Sequence, residues 1–262
     1  MAPMTLGSMT WPVVLMLAVA AFVIGVSKTS VGGFASLAVS VFALALPAKE
    51  STAAVLLLLI VGDLMGVYRY RRSCDWTLLV RLLPAVLPGI ALGAVFMAKI
   101  DDDRLMRHSI GGVIAVMVVL QIILRITKAR SGTATVGARG DEGRTSTPAA
   151  LTAGVAAGFA TMTANAAAPV MTLYFLAERV DKLRFIGTNA WFFLLVNVSK
   201  VPFSAAMGLF PATTLTLTVL LTPVVLVGTM FGMGIARRLS QTQFENVALA
   251  ASLVAVSLLL LR

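Results

Sequence analysis

Residues 128–148 read KARSGTATVGARGDEGRTSTP, a run rich in Gly, Thr, Ser and Arg within a 262-residue chain that is otherwise 59% hydrophobic and 12% charged. Such a run cannot bury enough apolar surface to order itself, so 126–148 reads as a flexible linker between two apolar blocks. Outward from it, apolar runs between polar breaks predict five segments on each side. Those before the linker lie at 11–26, 31–46, 51–68, 77–98 and 105–124, and those after it at 149–162, 169–178, 185–208, 212–235 and 244–261. The breaks carry helix-stopping or charged residues: Gly32-Gly33, Pro47, Arg71-Arg72, Asp101-Asp102-Asp103, Pro169, Pro211 and Arg237-Arg238.

Composition bounds the class. Soluble domains carry about 25% charged residues, roughly twice the share found here, and the mean hydropathy is +0.96. A water-soluble globular protein is excluded. The net charge of +10 is spread singly and in pairs through short loops, which suits anchoring beside acidic lipid and gives no nucleic-acid footprint. The single cysteine, Cys74, and the single histidine, His108, leave no intrachain disulfide, thiolate zinc cluster or histidine-based metal site, and no cofactor is expected. Met1–Thr10 has no basic residue, so Trp11–Val26 reads as a retained membrane segment and not a cleaved signal peptide.

The two blocks are related in order. Val19-Ala20-Ala21 matches Val155-Ala156-Ala157 at an offset of 136, which also lays Ser51-Thr52-Ala53-Ala54 over Gly187-Thr188-Asn189-Ala190 and Asp63 over Ser199. With a three-residue slip, Gly89–Gly93 falls on Gly228–Gly232. Five segments per half is odd, so by parity the second half enters the membrane upside down. The expected fold is an all-α polytopic membrane protein: two inverted-topology repeats, 11–125 and 149–262, of about five helical segments each, with broken or re-entrant segments meeting near the midplane. Loop charge sets its orientation. Thirteen Lys and Arg lie on the side of Arg69–Trp76, the linker, Glu178–Arg184 and Ala236–Glu245, against five opposite. The positive-inside rule puts the linker in the cytoplasm and both termini outside.

Function is expected where the halves are broken. Segments 1 and 2 are joined by Ser27-Lys28-Thr29-Ser30-Val31-Gly32-Gly33, and segments 6 and 7 by Thr161–Pro169. Interrupted segments at matching places in two inverted halves point to a transporter's central site. Ser30 as an N-cap and Pro169 in a first turn would aim two helix N-termini at one place, which suits an anion. The bland alternative is a pair of ordinary interhelical loops. Three ionisable residues lie inside apolar segments, where a charge costs on the order of 3 kcal/mol: Lys28, Asp63 and Lys200. Asn189 and Lys200 are separated by a rotation of about 20° on segment 8 and Asn197 flanks them, giving one polar face. The candidate shell is therefore Lys28, Thr29, Ser30, Gly32, Gly33, Thr163, Asn165, Asn189, Asn197 and Lys200, with Asp63 as counter-ion or proton carrier. Two lysines against one aspartate leave about one positive charge for a bound anion. Arg81 reads as an interfacial anchor, and the glycines at 89, 93, 228 and 232 as close helix packing. Trp191-Phe192-Phe193 reads as facing lipid or other helices, with one ring a candidate pocket wall. His108 beside the aspartates reads as a solvated loop.

These features resemble the TauE/SafE (TSUP) sulfite exporter family of membrane permeases. The resemblance rests on Gly25–Gly33, on segments opening Ser51-Thr52-x-Ala54 and Gly187-Thr188-x-Ala190, on the late Gly-x-x-x-Gly followed by Ala236-Arg237-Arg238-Leu239, and on two halves around a variable linker. It covers the chain apart from that linker. It implies a multi-pass protein of the bacterial inner membrane with periplasmic termini, carrying sulfite or organosulfur anions such as sulfonates. Ala164 and Asn165 stand where the first break has Lys28 and Thr29, so a symmetric lysine pair is not available. The function expected is secondary-active transport of a small sulfur-containing anion by alternating access, with a passive anion channel as the alternative. No HExxH, GxSxG or spaced His/Asp cluster suggests an enzyme. Proton coupling and a homo-oligomer are left open.

Overall fold

The computed structural model describes residues 10–29, 35–130, 147–178 and 182–235. Their regular structure is helical: α1 (Trp11–Thr29), α2 (Ala35–Ala45), α3 (Ala48–Tyr70), α4 (Trp76–Lys99), α5 (Asp103–Arg130), α6 (Thr147–Ala164), α7 (Ala168–Ala177), α8 (Lys182–Ala206) and α9 (Ala212–Ile235), with a single 3₁₀ turn at Arg71–Ser73. The first nine expected segments fall on these helices, and the tenth, 244–261, lies outside the described residues. The break Ser30–Gly33, including the expected N-cap Ser30, also lies outside them. α5 runs to Arg130, five residues into the stretch read as linker, because Arg125, Lys128 and Arg130 are cations that favour a helix C-terminus.

Length separates the helices into two kinds. At 1.5 Å per residue, the 23 residues of α3 and the 24 of α4 and α9 cover the roughly 30 Å hydrocarbon layer, whereas α2 and α7, with 11 and 10 residues, reach about half of it.

The exterior is apolar and the interior carries the charge. Trp11, Val80, Leu92, Val116, Val219, Met230 and Phe231 are exposed, while Asp63, Asn197 and Lys200 are buried. That is the reverse of a soluble protein and the arrangement a lipid solvent demands. The chain is a multi-pass membrane protein.

Two crossings frame the core. α1 packs on α9, and α4 on α6. In the first, Gly25 meets Gly228 and Phe22 lies edge-on to Phe231 at 5.7 Å; in the second, Gly89 meets Gly158 and Phe96 stacks on Phe159 at 5.5 Å. A Cβ at any of these four glycines would run into a backbone carbonyl of the opposite helix. The packing role expected for Gly89 and Gly228 is thus met by glycines on the partner helices. α1 and α6 open 136 residues apart, and so do α4 and α9, which also end 136 apart. Between the crossings stand α3 and α8, packed on each other. α3 is the central helix, 67% of its span being buried against 33% for α1 and α9.

The connections are hydrogen-bonded with care. Pro47 gives α3 no side-chain cap; Asp103 supplies one from α5, its Oδ1 accepting from Ala48 N at 2.6 Å. Arg107 binds the same carboxylate at 2.8 Å and donates to Leu46 O at 3.1 Å. Asp102 caps α5 by accepting from Arg104 N at 2.7 Å. The aspartate run is therefore a helix start and a tie. His108 lies inside α5, its Nδ1 2.8 Å from Arg104 O, and not in a solvated loop.

Candidate functional site

Lys28 sits in the last turn of α1, a position that the negative end of a helix favours. That end stops against the interior of α3, about two thirds of the way along it, where Lys28 Nζ meets Asp63 Oδ1 at 2.6 Å. Gly62 makes this approach feasible: a Cβ there would lie 2.8 Å from Lys28 Cγ. Gly66, one turn on, faces the Lys28 carbonyl. Across the ammonium lies the ring of Phe193, with its centroid 4.5 Å from Nζ, a cation–π contact that replaces part of the lost hydration.

The second broken helix ends in a different way. α6 closes at Asn165, whose φ of 49° is the left-handed cap conformation, with Asn165 N bonded to Thr161 O at 3.0 Å. Asparagine tolerates this conformation better than other side chains. The cap brings its amide into the bundle. Asn165 Nδ2 donates to Thr52 O on α3 at 3.1 Å, and Asn165 Oδ1 accepts from Lys200 Nζ of α8. Lys200 Nζ also donates to Thr161 Oγ1 at 3.2 Å and to Asn197 Oδ1 at 3.3 Å. Asn197 Nδ2 in turn donates to Asp63 Oδ2 at 2.7 Å. Four helices are joined in one polar chain, Lys28–Asp63–Asn197–Lys200–Asn165, inside an apolar shell.

Beside this chain lies a cavity of about 30 Å³, measured as room for the centres of water-sized spheres, enough for about two waters. Lys28, Asp63, Asn165, Asn189, Asn197 and Thr161 form its polar wall, and Leu59, Ala168 and Phe193 its apolar one. Ala168 is the first residue of α7, so a helix N-terminus opens there too.

The structure places Lys28, Asp63, Asn165, Asn189 and Asn197 around one cavity, with Asp63 ion-paired to Lys28. Lys200 belongs to the cluster but is 1% exposed and lies behind the wall. Thr163 is buried, and its hydroxyl donates to Phe159 O at 2.9 Å within its own helix, away from the cavity. The side chain of Thr29, and Ser30, Gly32 and Gly33 entirely, fall outside the described residues. Sequence reasoning offered Phe193 only as one of three rings that could wall a pocket, named Thr161 only as the start of the second break, and passed over Gly62. Spacing held the signal for two of them: Asn189, Phe193 and Asn197 recur every four residues on α8, and Thr161 precedes Asn165 by four on α6. Among the described residues no three His, Cys, Asp or Glu side chains gather, so the chemistry on offer is that of ammonium, amide and carboxylate groups.

Among known proteins, the family model described as Sulfite exporter TauE/SafE matches residues 7–260. No curated protein and no solved structure matches the chain.

Proposed function

Since the chain belongs to the TauE/SafE sulfite exporter family of membrane permeases, we propose that it is a secondary-active transporter that moves a small sulfur-containing anion, sulfite or an organosulfonate, by alternating access. One observation carries the reading: a buried lysine, itself paired and covered by an aromatic ring, faces a cavity with a polar wall at the ends of two broken helices. A charge held at that depth is costly unless it serves a passing solute. Lys28 supplies attraction, Asn189 and Asn165 supply amide groups, and the α7 N-terminus adds its partial positive charge. Thr29, Ser30, Gly32 and Gly33 are assigned to the same shell from the first break, Thr163 to its second-half frame, and Lys200 to the charge behind it.

Alternating access follows from the architecture on this reading. The α1–α9 and α4–α6 crossings use the same devices, and α1/α6 and α4/α9 open at the same offset, as expected of two inverted repeats that exchange conformations. The protein lies in the bacterial inner membrane, with the basic linker cytoplasmic and the termini periplasmic.

The test is counterflow in proteoliposomes. Vesicles preloaded with unlabelled sulfite should accumulate labelled sulfite transiently and saturably, and Lys28→Ala, reconstituted as folded protein at matched density, should abolish this. Flux without counterflow, at rates beyond a carrier's, would identify a passive channel instead. Undiminished sulfite flux in Lys28→Ala would remove the site from consideration.

A further inference from the structure

The hydrogen-bond chain orients the amides of the site as well as placing them. Asn165 Nδ2 donates to a backbone carbonyl and Asn197 Nδ2 to a carboxylate, both of which can only accept. Each amide is thereby locked with its oxygen toward Lys200. Turning either one would set two acceptors face to face and aim an NH₂ at the lysine. With Thr161 Oγ1, a hydroxyl that can accept or donate, Lys200 Nζ then has three side-chain oxygens in reach, a set that suits an ammonium.

Lys200 thus uses all its donors inside the protein. What it lends the cavity is charge alone, passed through Thr161, Asn165 and Asn197, which all line the cavity. Lys28 is the lysine at the cavity wall, with Asp63 and the Phe193 ring on it. Among the described residues, Asp63 is the one carboxylate of this cluster, and it serves both lysines: Lys28 directly and Lys200 through Asn197. α6 and α7 contribute no ionisable side chain to the lining. Two ammonium groups against one carboxylate leave a single positive charge, held where water is scarce.

We propose that the cavity is matched to a singly charged anion, hydrogensulfite or a sulfonate, and discriminates by charge against doubly charged ones of the same size, Asp63 being the residue that sets this valence. The proposal rests on the reading of the protein as a sulfur-anion transporter. A guest in the cavity stands about two hydrogen-bond lengths, roughly 6 Å, from Lys200. At that distance and an effective dielectric of about 20, one unit charge is worth on the order of a hundredfold in affinity. A second negative charge on the guest would also meet the Asp63 carboxylate beside it.

Methanesulfonate and sulfate make the test, since they are nearly the same shape and differ by one charge. Binding of each to the purified full-length protein is measured by calorimetry, together with sulfite across the pH range in which hydrogensulfite loses its proton. The expected result is at least about tenfold tighter binding of methanesulfonate than of sulfate. Sulfite affinity should fall as pH rises while methanesulfonate affinity stays level, the latter reporting any titration of Lys28, Asp63 or Lys200 themselves. Asp63→Asn should shift the sulfate-to-methanesulfonate ratio at least about tenfold toward sulfate, and Lys200→Gln should weaken methanesulfonate on the order of a hundredfold. The wild-type comparisons stand even where a variant does not fold. Sulfate bound as tightly as methanesulfonate by the wild type, or an unmoved ratio in folded Asp63→Asn, overturns the valence proposal and leaves sulfur-anion transport intact. Binding of none of the three anions overturns both.

Discussion

Removing the Lys28 charge should destabilise the protein, and removing Asp63 as well should restore it. The pair is 2.6 Å apart, with side-chain exposures of 9% and 1%. Breaking a buried pair by deleting one partner costs about 3–5 kcal/mol, because the other charge stays buried without compensation. In Lys28→Met the aspartate keeps Asn197 at 2.7 Å and the field of Lys200 beyond it, which places the loss at the lower end, about 3 kcal/mol. At roughly 2–4 °C per kcal/mol for a chain of this size, the melting temperature should drop on the order of 10 °C. Asp63→Asn alone strands the ammonium and should also destabilise. In the double variant, Lys28→Met with Asp63→Asn, the new amide oxygen still accepts from Asn197, Lys200 keeps its three oxygens, and the net charge of the cluster is the same as in the parent, so most of the lost stability should return. Thermal unfolding in detergent, followed by the fluorescence of the three tryptophans, reads all four proteins. The double variant should remain inactive in transport, which separates folding from function. Additive losses in the double variant, or a Lys28→Met protein as stable as the parent, would refute the buried pair as the organiser of this site.

Three further outcomes are expected. Gly89→Leu and Gly228→Leu should fail to give folded protein, since even a Cβ meets backbone there, whereas Gly112→Ala in α5 meets nothing within 4 Å and should gain about 0.5–1 kcal/mol; relative recovery from size-exclusion chromatography distinguishes them. Phe193→Ala should weaken sulfite several-fold through loss of the ring over Lys28 and admit larger sulfonates, so an unchanged size limit in a competition series would remove Phe193 as a cavity wall. Cys74, between the 3₁₀ turn and α4, is half-buried; burial pushes its thiol above the usual cysteine range, a Thr188 hydrogen bond opposes this, and the Asp75 charge adds to it. Because the thiolate is the reactive form, alkylation should be slow at neutral pH, climb with pH, and speed up in Asp75→Asn. An impermeant maleimide should reach Cys74 in inside-out but not right-side-out vesicles.

The sequence made the charged residues conspicuous for a physical reason. In a chain this apolar, an ionisable side chain within a helix must have a partner, so Lys28, Asp63 and Lys200 stand out against their surroundings. Their partners are less visible. Nothing in spacing joins residue 28 to residue 63 or residue 165 to residue 200, because those pairings are set by where α1 and α6 stop. Helical phase put Lys200 on the same face as Asn189, but phase says nothing of depth, and Lys200 turns out to sit behind the cavity wall. Thr163 misled for a local reason: a threonine in a helix can donate to its own backbone, as this one does to Phe159. Phe193 was obscured by its neighbours, since three successive aromatics suggest a lipid face until the four-residue rhythm of α8 is weighed.

The two broken helices that meet at the site differ in chemistry. α1 carries a lysine in its last turn, while α6 ends in alanine followed by a left-handed asparagine. The second positive charge comes instead from α8, an unbroken helix, where it is held in place by amides rather than by a carboxylate. Those amides are oriented by α3, through Thr52 and Asp63. α3 therefore does on one side of the cavity what neither broken helix does alone: it pairs with the lysine of the first half and, through two asparagines, aligns the acceptors that hold the lysine of the second. A strictly symmetric protein would have two equivalent half-sites. Here a charged helix end and an amide cap meet at one cavity, with α3 pairing to both.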